Sequence, residues 1–232
     1  MPLQLYYITD RSQFPGDGRE RERRLLSKIA ECAAAGVDYI QLREKDLSTR
    51  ALEELARKAI AALGGSSTRL LINSRTDVAL ACGAHGVHLP SNDLPASEVR
   101  AIFARAGFER VNPRAPIVKA PIIKAPVIGV SAHSEAEISC AEAHGADFAV
   151  FGPIFEKCGT ASPHGLDQLQ QICRRADSPA STMPVFALGG ITLENAHLCI
   201  EAGAAGIAGI RLFQENDAEK VAKKLWGLTS QA

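Results

Sequence analysis

Four cations of this chain sit where apolar runs break into polar loops. Arg43 and Lys45 close the run Gln41-Leu-Arg-Glu-Lys45, Arg75 follows Asn73 and Ser74, and Arg211 follows Ile207 to Ile210. A guanidinium offers a bidentate fork and an ammonium a point charge, and both suit phosphate oxygens. Gly189-Gly190 ends another apolar run just ahead of a helical pattern. Backbone N–H groups at such a turn readily face an anion. Asp93 cannot bind an anion itself, but it can hold a Mg²⁺ ion that does. Together these residues point to a small phosphorylated or pyrophosphorylated substrate. Structural uses compete with this reading. Arg43 could pair with Glu44 or Asp10, Asp93 could merely start the helix at Pro95, and His88 alternates into a strand as a core histidine would. His133, His164 and Cys158 have no partner at the spacing of a catalytic triad, so a covalent nucleophile is not expected.

Such groups need a scaffold that gathers the ends of many strands. Short apolar runs alternate with amphipathic windows along the whole chain. Strands are predicted at Leu3–Ile8, Tyr39–Leu42, Leu70–Ile72, Gly86–Leu89, Val127–Val130, Phe148–Phe151, Val185–Leu188 and Ile207–Ile210. A helical window follows each one. The clearest carries Leu52, Leu55, Ala56, Ala59, Ile60 and Leu63 on one stripe behind a cap at Ser48 or Thr49. Ser134 and Glu137 form a capping-box pair, and later helices are expected over Leu193–Ala202 and from Asn216 to Trp226. Eight strands and eight helices in strict alternation imply parallel α/β packing. A helix–glycine–strand junction recurs at Gly36, Gly83, Gly145 and Gly203, before every even strand. Glycine there ends a helix by adopting the left-handed conformation. This repetition favours a single closed (β/α)₈ TIM barrel over an open sheet. Chemistry in such barrels lies at the C-terminal ends of the strands, where Arg43, Lys45, Asn73, Asp93, Ser131, Gly189, Gly190 and Arg211 all fall.

The length of 232 residues suits one barrel domain, since ~250 residues is typical. Residues 113–126 interrupt the pattern with a five-residue repeat, Ala115-Pro-Ile-Val-Lys, Ala120-Pro-Ile-Ile-Lys, Ala125-Pro-Val-Ile-Gly. Proline at that interval cannot occupy a central sheet, so the segment reads as an insertion before strand five, on the face opposite the chemistry. Lys plus Arg and Asp plus Glu both number 26, giving zero formal net charge. Nucleic acid is therefore not an expected partner, since such binders carry a basic excess. No apolar run approaches ~18 residues, so no membrane partner is expected. The N-terminus enters a strand pattern at once, without the basic and apolar regions of a signal peptide, which suggests a cytoplasmic protein. The six cysteines lack metal-site or disulfide spacing and read as free, buried thiols. A homo-oligomer is left open.

The ordered motifs resemble those of the thiamine-phosphate synthase and thiazole tautomerase superfamily, and the synthases most. They are Tyr7-Ile-Thr-Asp10, Gln41-Leu-Arg-Glu-Lys45, Leu71-Ile-Asn73, Gly86-Val-His-Leu89, Ile128-Gly-Val-Ser131, Phe151-Gly-Pro-Ile-Phe155 and Ala187-Leu-Gly-Gly-Ile191. The resemblance implies a transferase of thiamine biosynthesis. It would join hydroxymethylpyrimidine diphosphate to a thiazole phosphate, or its carboxylate, and release pyrophosphate. It further implies that Gln41, Arg43, Lys45, Asn73 and Ser131 hold the pyrimidine diphosphate, with Arg43, Lys45 and Ser131 catalytic. Asp93 would hold Mg²⁺, the implied cofactor. Gly189, Gly190, Ile210 and Arg211 would surround the thiazole phosphate. The loop after strand six, which contacts substrate in the family, reads Glu156-Lys-Cys-Gly-Thr160 here, putting Cys158 and Thr160 in that place. The family's aspartate after strand three is Ser74, its serine after strand eight is Arg211, and the tautomerases' catalytic histidine is Pro153. A thiazole tautomerase-like isomerase and a non-catalytic binder of thiamine intermediates are the alternatives. Arg43, Lys45, Asn73 and Asp93 favour the transferase, because a tautomerase has no diphosphate to hold.

Overall fold

The computed structural model describes residues 2–107, 125–155, 164–176 and 183–229. Residues 113–124 of the proline repeat, and the expected substrate contacts Cys158 and Thr160, lie outside the described residues. Eight parallel strands form a closed barrel in chain order: β1 (Gln4–Ile8), β2 (Tyr39–Leu42), β3 (Arg69–Asn73), β4 (Gly86–Leu89), β5 (Val127–Ala132), β6 (Phe148–Phe151), β7 (Val185–Leu188) and β8 (Gly206–Gly209). β8 returns to β1 with Leu5 opposite Ile207. The strand β5 continues to Ala132, so Ser131 lies inside it, not after it.

The outer layer contains α1 (Gly18–Ala34), α2 (Thr49–Ala62), α3 (Thr76–Cys82), α4 (Ala96–Arg105), α5 (Glu135–Ala143), α6 (Gly165–Ala176), α7 (Ala196–Glu201), α8 (Arg211–Gln214) and α9 (Ala218–Thr229). The described residues thus hold nine α-helices where eight were expected. The extra one, α8, is a single turn too short to show a period. The expected start of α7 at Leu193 is also corrected. Asn195 holds residues 190–195 in a loop, its carboxamide accepting from Thr192 N–H at 2.8 Å and donating to Gly190 O at 3.0 Å. Asp217, not Asn216, caps α9 by accepting the Lys220 N–H at 2.9 Å. Asn216 instead turns back to the carbonyl of Leu212.

Gly36, Gly83, Gly145 and Gly203 hold φ of 81°, 71°, 72° and 97°, as the helix-ending role requires. Two residues past the first three, a side chain caps the preceding odd strand. Asp38 takes the Leu5 N–H at 2.8 Å, His85 Nδ1 takes the Leu70 N–H at 3.1 Å, and Asp147 takes the Ile128 N–H at 2.7 Å. The sequence echo is therefore a repeated device that satisfies strand starts. Cys32, Cys82, Cys173 and Cys199 are buried as expected, but Cys140 is exposed, because α5 turns that position outward.

Strand alternation splits the apolar residues between two cores. One lies between sheet and helices. The other fills the barrel with Tyr6, Ile8, Leu71, Val127, Phe148, Val150, Phe186 and Ala208. Phe148 and Phe186 stack at 4.6 Å, and Tyr6 meets Phe148 edge-on at 5.4 Å. This aromatic plug is the floor of the site. A methyl group at Gly129 would strike the Phe148 ring and lie 2.9 Å from His88 Nδ1. Gly129→Ala is accordingly expected to destabilise the fold by ~1–3 kcal/mol through overpacking, read as a lower urea midpoint with an unchanged slope. An unchanged midpoint would mean that the floor yields.

Candidate functional site

Above the plug, the inward positions of the strands become polar. Gln41 on β2 is buried and donates through Nε2 to Asn73 Oδ1 on β3 at 3.2 Å. Asn73 pairs in register with His88 on β4. His88 is buried, with Nδ1 3.0 Å from Tyr6 Oη and Nε2 2.9 Å from Ser131 Oγ on β5. Burial, and then the positive charge of Arg43, press the His88 imidazole down to about 3, so it is neutral. His88 is thus the core histidine of the structural reading, but it also links the floor to the rim. Its sequence signal was the register that sets Asn73, His88 and β5 side by side.

Two residues beyond Gln41 on the same side, Arg43 is half-buried at the rim. Its guanidinium makes no hydrogen bond or ion pair with the described residues. Glu44 and Asp10, the partners considered for it, are engaged elsewhere. Glu44 is buried, accepts from Thr9 Oγ1 at 2.6 Å, and pairs with Arg11 Nη1 at 2.9 Å. Thr9 Oγ1 in turn accepts the Arg43 backbone N–H at 3.0 Å. Burial lifts the Glu44 carboxyl above the usual carboxylate range, against the pull of Thr9 and Arg11. Asp10 accepts from Ser12 and Gln13. Glu44 and Thr9 therefore fix the backbone that carries Arg43. Sequence reasoning missed this brace, since its members lie more than 30 residues apart. Lys45, the next cation, is exposed.

Asp93 does not cap α4. One carboxylate oxygen accepts the Leu94 N–H at 2.8 Å and the other is hydrogen-bonded by Ser74 Oγ. Ser74 has φ of 60°, in the left-handed region, where a residue other than glycine, asparagine or aspartate is strained. Arg75 is not part of the rim constellation: it pairs with Asp77 at 2.6 Å and with Thr49 at 2.9 Å.

A cavity of about 800 Å³ opens over β6 to β8. Gly189, Gly190, Ile210 and Arg211 all line it, as do Leu188, Ile191, Thr192, Glu215 and His133. Gly189 and Gly190 hold φ of 102° and 65°, and a side chain at Gly189 would strike Pro153, 2.6 Å from its Cα. Arg211 opens α8, and no ion pair joins it to Glu215 or another described residue. His133 Nδ1 donates to the Gly152 carbonyl at 2.6 Å, tying β5 to the loop after β6. The rim thus has two separate parts, each with one arginine. One is polar, with Arg43 above Gln41, Asn73 and Ser131. The other is a partly apolar cavity with a two-glycine wall and Arg211.

A family model described as thiamine monophosphate synthase matches residues 5–108 and 114–213. A thiamine-phosphate synthase of Clostridium novyi is 34% identical over 216 residues, covering 92% of this chain and 91% of the relative. One of Albidiferax ferrireducens is 36% identical over 211 residues, covering 89% and 82%. The solved thiamine phosphate pyrophosphorylase of Pyrococcus furiosus superposes with a TM-score of 0.74 at 28% identity, covering 99% of this chain and 96% of that one.

Proposed function

The chain belongs to the thiamine monophosphate synthase family, and on that premise we propose that its rim holds hydroxymethylpyrimidine diphosphate over β2 to β5 and thiazole phosphate in the cavity over β6 to β8. The protein is a transferase of the thiamine-phosphate synthase type. The observation that carries the assignment of the two substrates is the split rim. A half-buried Arg43, with no partner among the described residues, faces one side, and a glycine-walled cavity with Arg211 forms the other. Two phosphorylated substrates need two anion sites within reach of one another.

The chemistry follows from these parts. The bond between the pyrimidine's methylene carbon and the diphosphate oxygen breaks, and the electron pair leaves with pyrophosphate. The thiazole nitrogen then donates its lone pair to the resulting cation. Charge develops on the leaving oxygens, so fixed donors there lower the barrier. Arg43, Lys45 and Ser131 supply them. Gln41 and Asn73 spend one donor and one acceptor on each other, leaving the Gln41 carbonyl and the Asn73 amide to orient the pyrimidine. Arg211 and the Gly189-Gly190 turn hold the thiazole phosphate. Arg211→Ser should weaken thiazole phosphate binding roughly tenfold to a hundredfold, the worth of a charge-assisted hydrogen bond. Titration calorimetry checks this, and unchanged affinity would return Arg211 to the surface.

Among the described residues no cluster of three metal-ligating side chains is present. The local donor set is the Asp93 carboxylate and the Ser74 hydroxyl in contact with it. Magnesium takes one or two carboxylates and completes its shell with water and substrate phosphate, so this set fits an ion shared with the diphosphate. When bound there, Mg²⁺ would offset charge on the leaving group. The expected behaviour is ordered. Mg²⁺ affinity should be negligible in the free protein and measurable once the diphosphate is present. Ser74→Asp should tighten it, since aspartate tolerates the left-handed backbone at this position and adds a carboxylate. Titrations showing no gain with Ser74→Asp, or no loss with Asp93→Asn, would remove the metal from this corner.

A further inference from the structure

We propose that Tyr6 and His88 are positioning residues that fix the direction of the Ser131 hydroxyl, turning its proton out of the barrel toward the leaving diphosphate. This rests on the reading of Ser131 as a diphosphate contact. Tyr6 is fully buried in the plug, and among the described residues its phenol oxygen has one polar partner, His88 Nδ1 at 3.0 Å. A buried hydroxyl proton must go to an acceptor. The rings packed round Tyr6, those of Tyr39, Phe148 and Phe186, make no hydrogen bond to it. Burial also pushes the phenol well above its ordinary range, so the proton is always present. Tyr6 therefore donates and Nδ1 accepts.

A neutral imidazole carries one proton, so the His88 proton must sit on Nε2. Nε2 is 2.9 Å from Ser131 Oγ, which is then the acceptor of that bond. Ser131 lies half-buried at the open end of β5 and keeps its own proton for whatever lies above the rim. With the opposite direction, Ser131 would spend its proton on Nε2 and present lone pairs to an anion. Tyr6 would then be left with a buried donor and no acceptor. The neutrality of His88 matters as well. An imidazolium in the layer below would oppose a cation forming on the pyrimidine. Groups facing His88 are Tyr6 from β1, Arg43 beyond β2, Asn73 from β3, Ser131 from β5 and the Phe148 ring from β6.

Nitrogen-15 NMR of the ring-labelled wild-type protein reads the tautomer directly, without substrate. The expected result is a His88 ring protonated at Nε2 and unchanged from pH 8 to pH 5. A ring protonated at Nδ1 overturns the proposal. Kinetics supply a second arm. His88→Leu should lower kcat roughly tenfold, the worth of one hydrogen bond, with little change in KM for thiazole phosphate. His88→Gln, whose amide can donate in place of Nε2, should recover part of the loss. In a Ser131→Ala background His88→Leu should cost nothing further, because residues acting through one contact are not additive. A full tenfold loss in both backgrounds would show that His88 acts by some other route. A protein that makes no thiamine phosphate would instead sink the substrate assignment and leave the tautomer to be decided by the spectrum.

Discussion

Arg43→Ala is expected to weaken hydroxymethylpyrimidine diphosphate binding by roughly tenfold to a hundredfold and to lower turnover at least as much. A hydrogen bond to a charged group contributes ~1.5–3 kcal/mol, and that figure is the source of the range. Arg43 belongs at the upper end. Its guanidinium is half-buried and without a partner among the described residues, and the brace from Glu44 through Thr9 to its backbone N–H fixes where it starts. Arg43→Lys should rescue only part of the loss, since an ammonium lacks the planar fork. Lys45 is exposed, so Lys45→Ala should cost less and its effect should shrink with added salt. Affinity for thiazole phosphate, bound on the other side of the rim, should not change in either variant. Calorimetry that found diphosphate affinity unaltered in both would remove these residues from the site.

The second large effect is on stability in acid. His88 is neutral in the folded chain and is not protonated there until about pH 3, whereas the ordinary imidazole value is 6.5. His85 is also lowered, by burial and then by Arg69, and its Nδ1 must stay unprotonated to accept the Leu70 N–H. For both groups the unfolded chain binds a proton first as pH falls. Their contribution is therefore complete above 6.5 and is lost on acidification. Each such proton lowers the unfolding free energy by about 1.4 kcal/mol per pH unit. Asp38 and Glu44 run the other way. Burial raises both, so the folded chain takes up their protons first and acid favours it. The loss should thus begin as pH falls through 6.5, reach its full slope about one pH unit lower, and be opposed from there as these raised carboxyls titrate. Urea unfolding at pH 7, 6 and 5 would show this, and His88→Gln should flatten the slope by one proton. Equal slopes in variant and wild type would mean that His88 titrates normally.

Much of this architecture was legible in the sequence because it is built from local signals. β2, β4, β6 and β7 begin and end where their apolar runs do, since each run is short, largely buried and bounded by polar residues, proline or glycine. The glycine junctions were visible because a helix that stops short of a strand needs one left-handed residue. What was not legible depends on distance along the chain or on very short elements. Arg11 meets Glu44 across 33 residues and Tyr6 meets His88 across 82. No local pattern records such pairs. The four-residue helix that presents Arg211 has no period to detect. Asp93 illustrates the intermediate case. Its place near the rim followed from strand four, but its bond to Ser74 depends on the left-handed turn after β3.

The most direct measurement is turnover by the purified protein of hydroxymethylpyrimidine diphosphate and thiazole phosphate, with and without Mg²⁺, reading thiamine phosphate and pyrophosphate together. The expected result is one pyrophosphate released per thiamine phosphate formed, dependent on both substrates, enhanced by Mg²⁺ and strongly reduced in Arg43→Ala. Diphosphate binding without any thiamine phosphate formed, at any Mg²⁺ concentration, would contradict a transferase and leave a binding protein built on the same barrel.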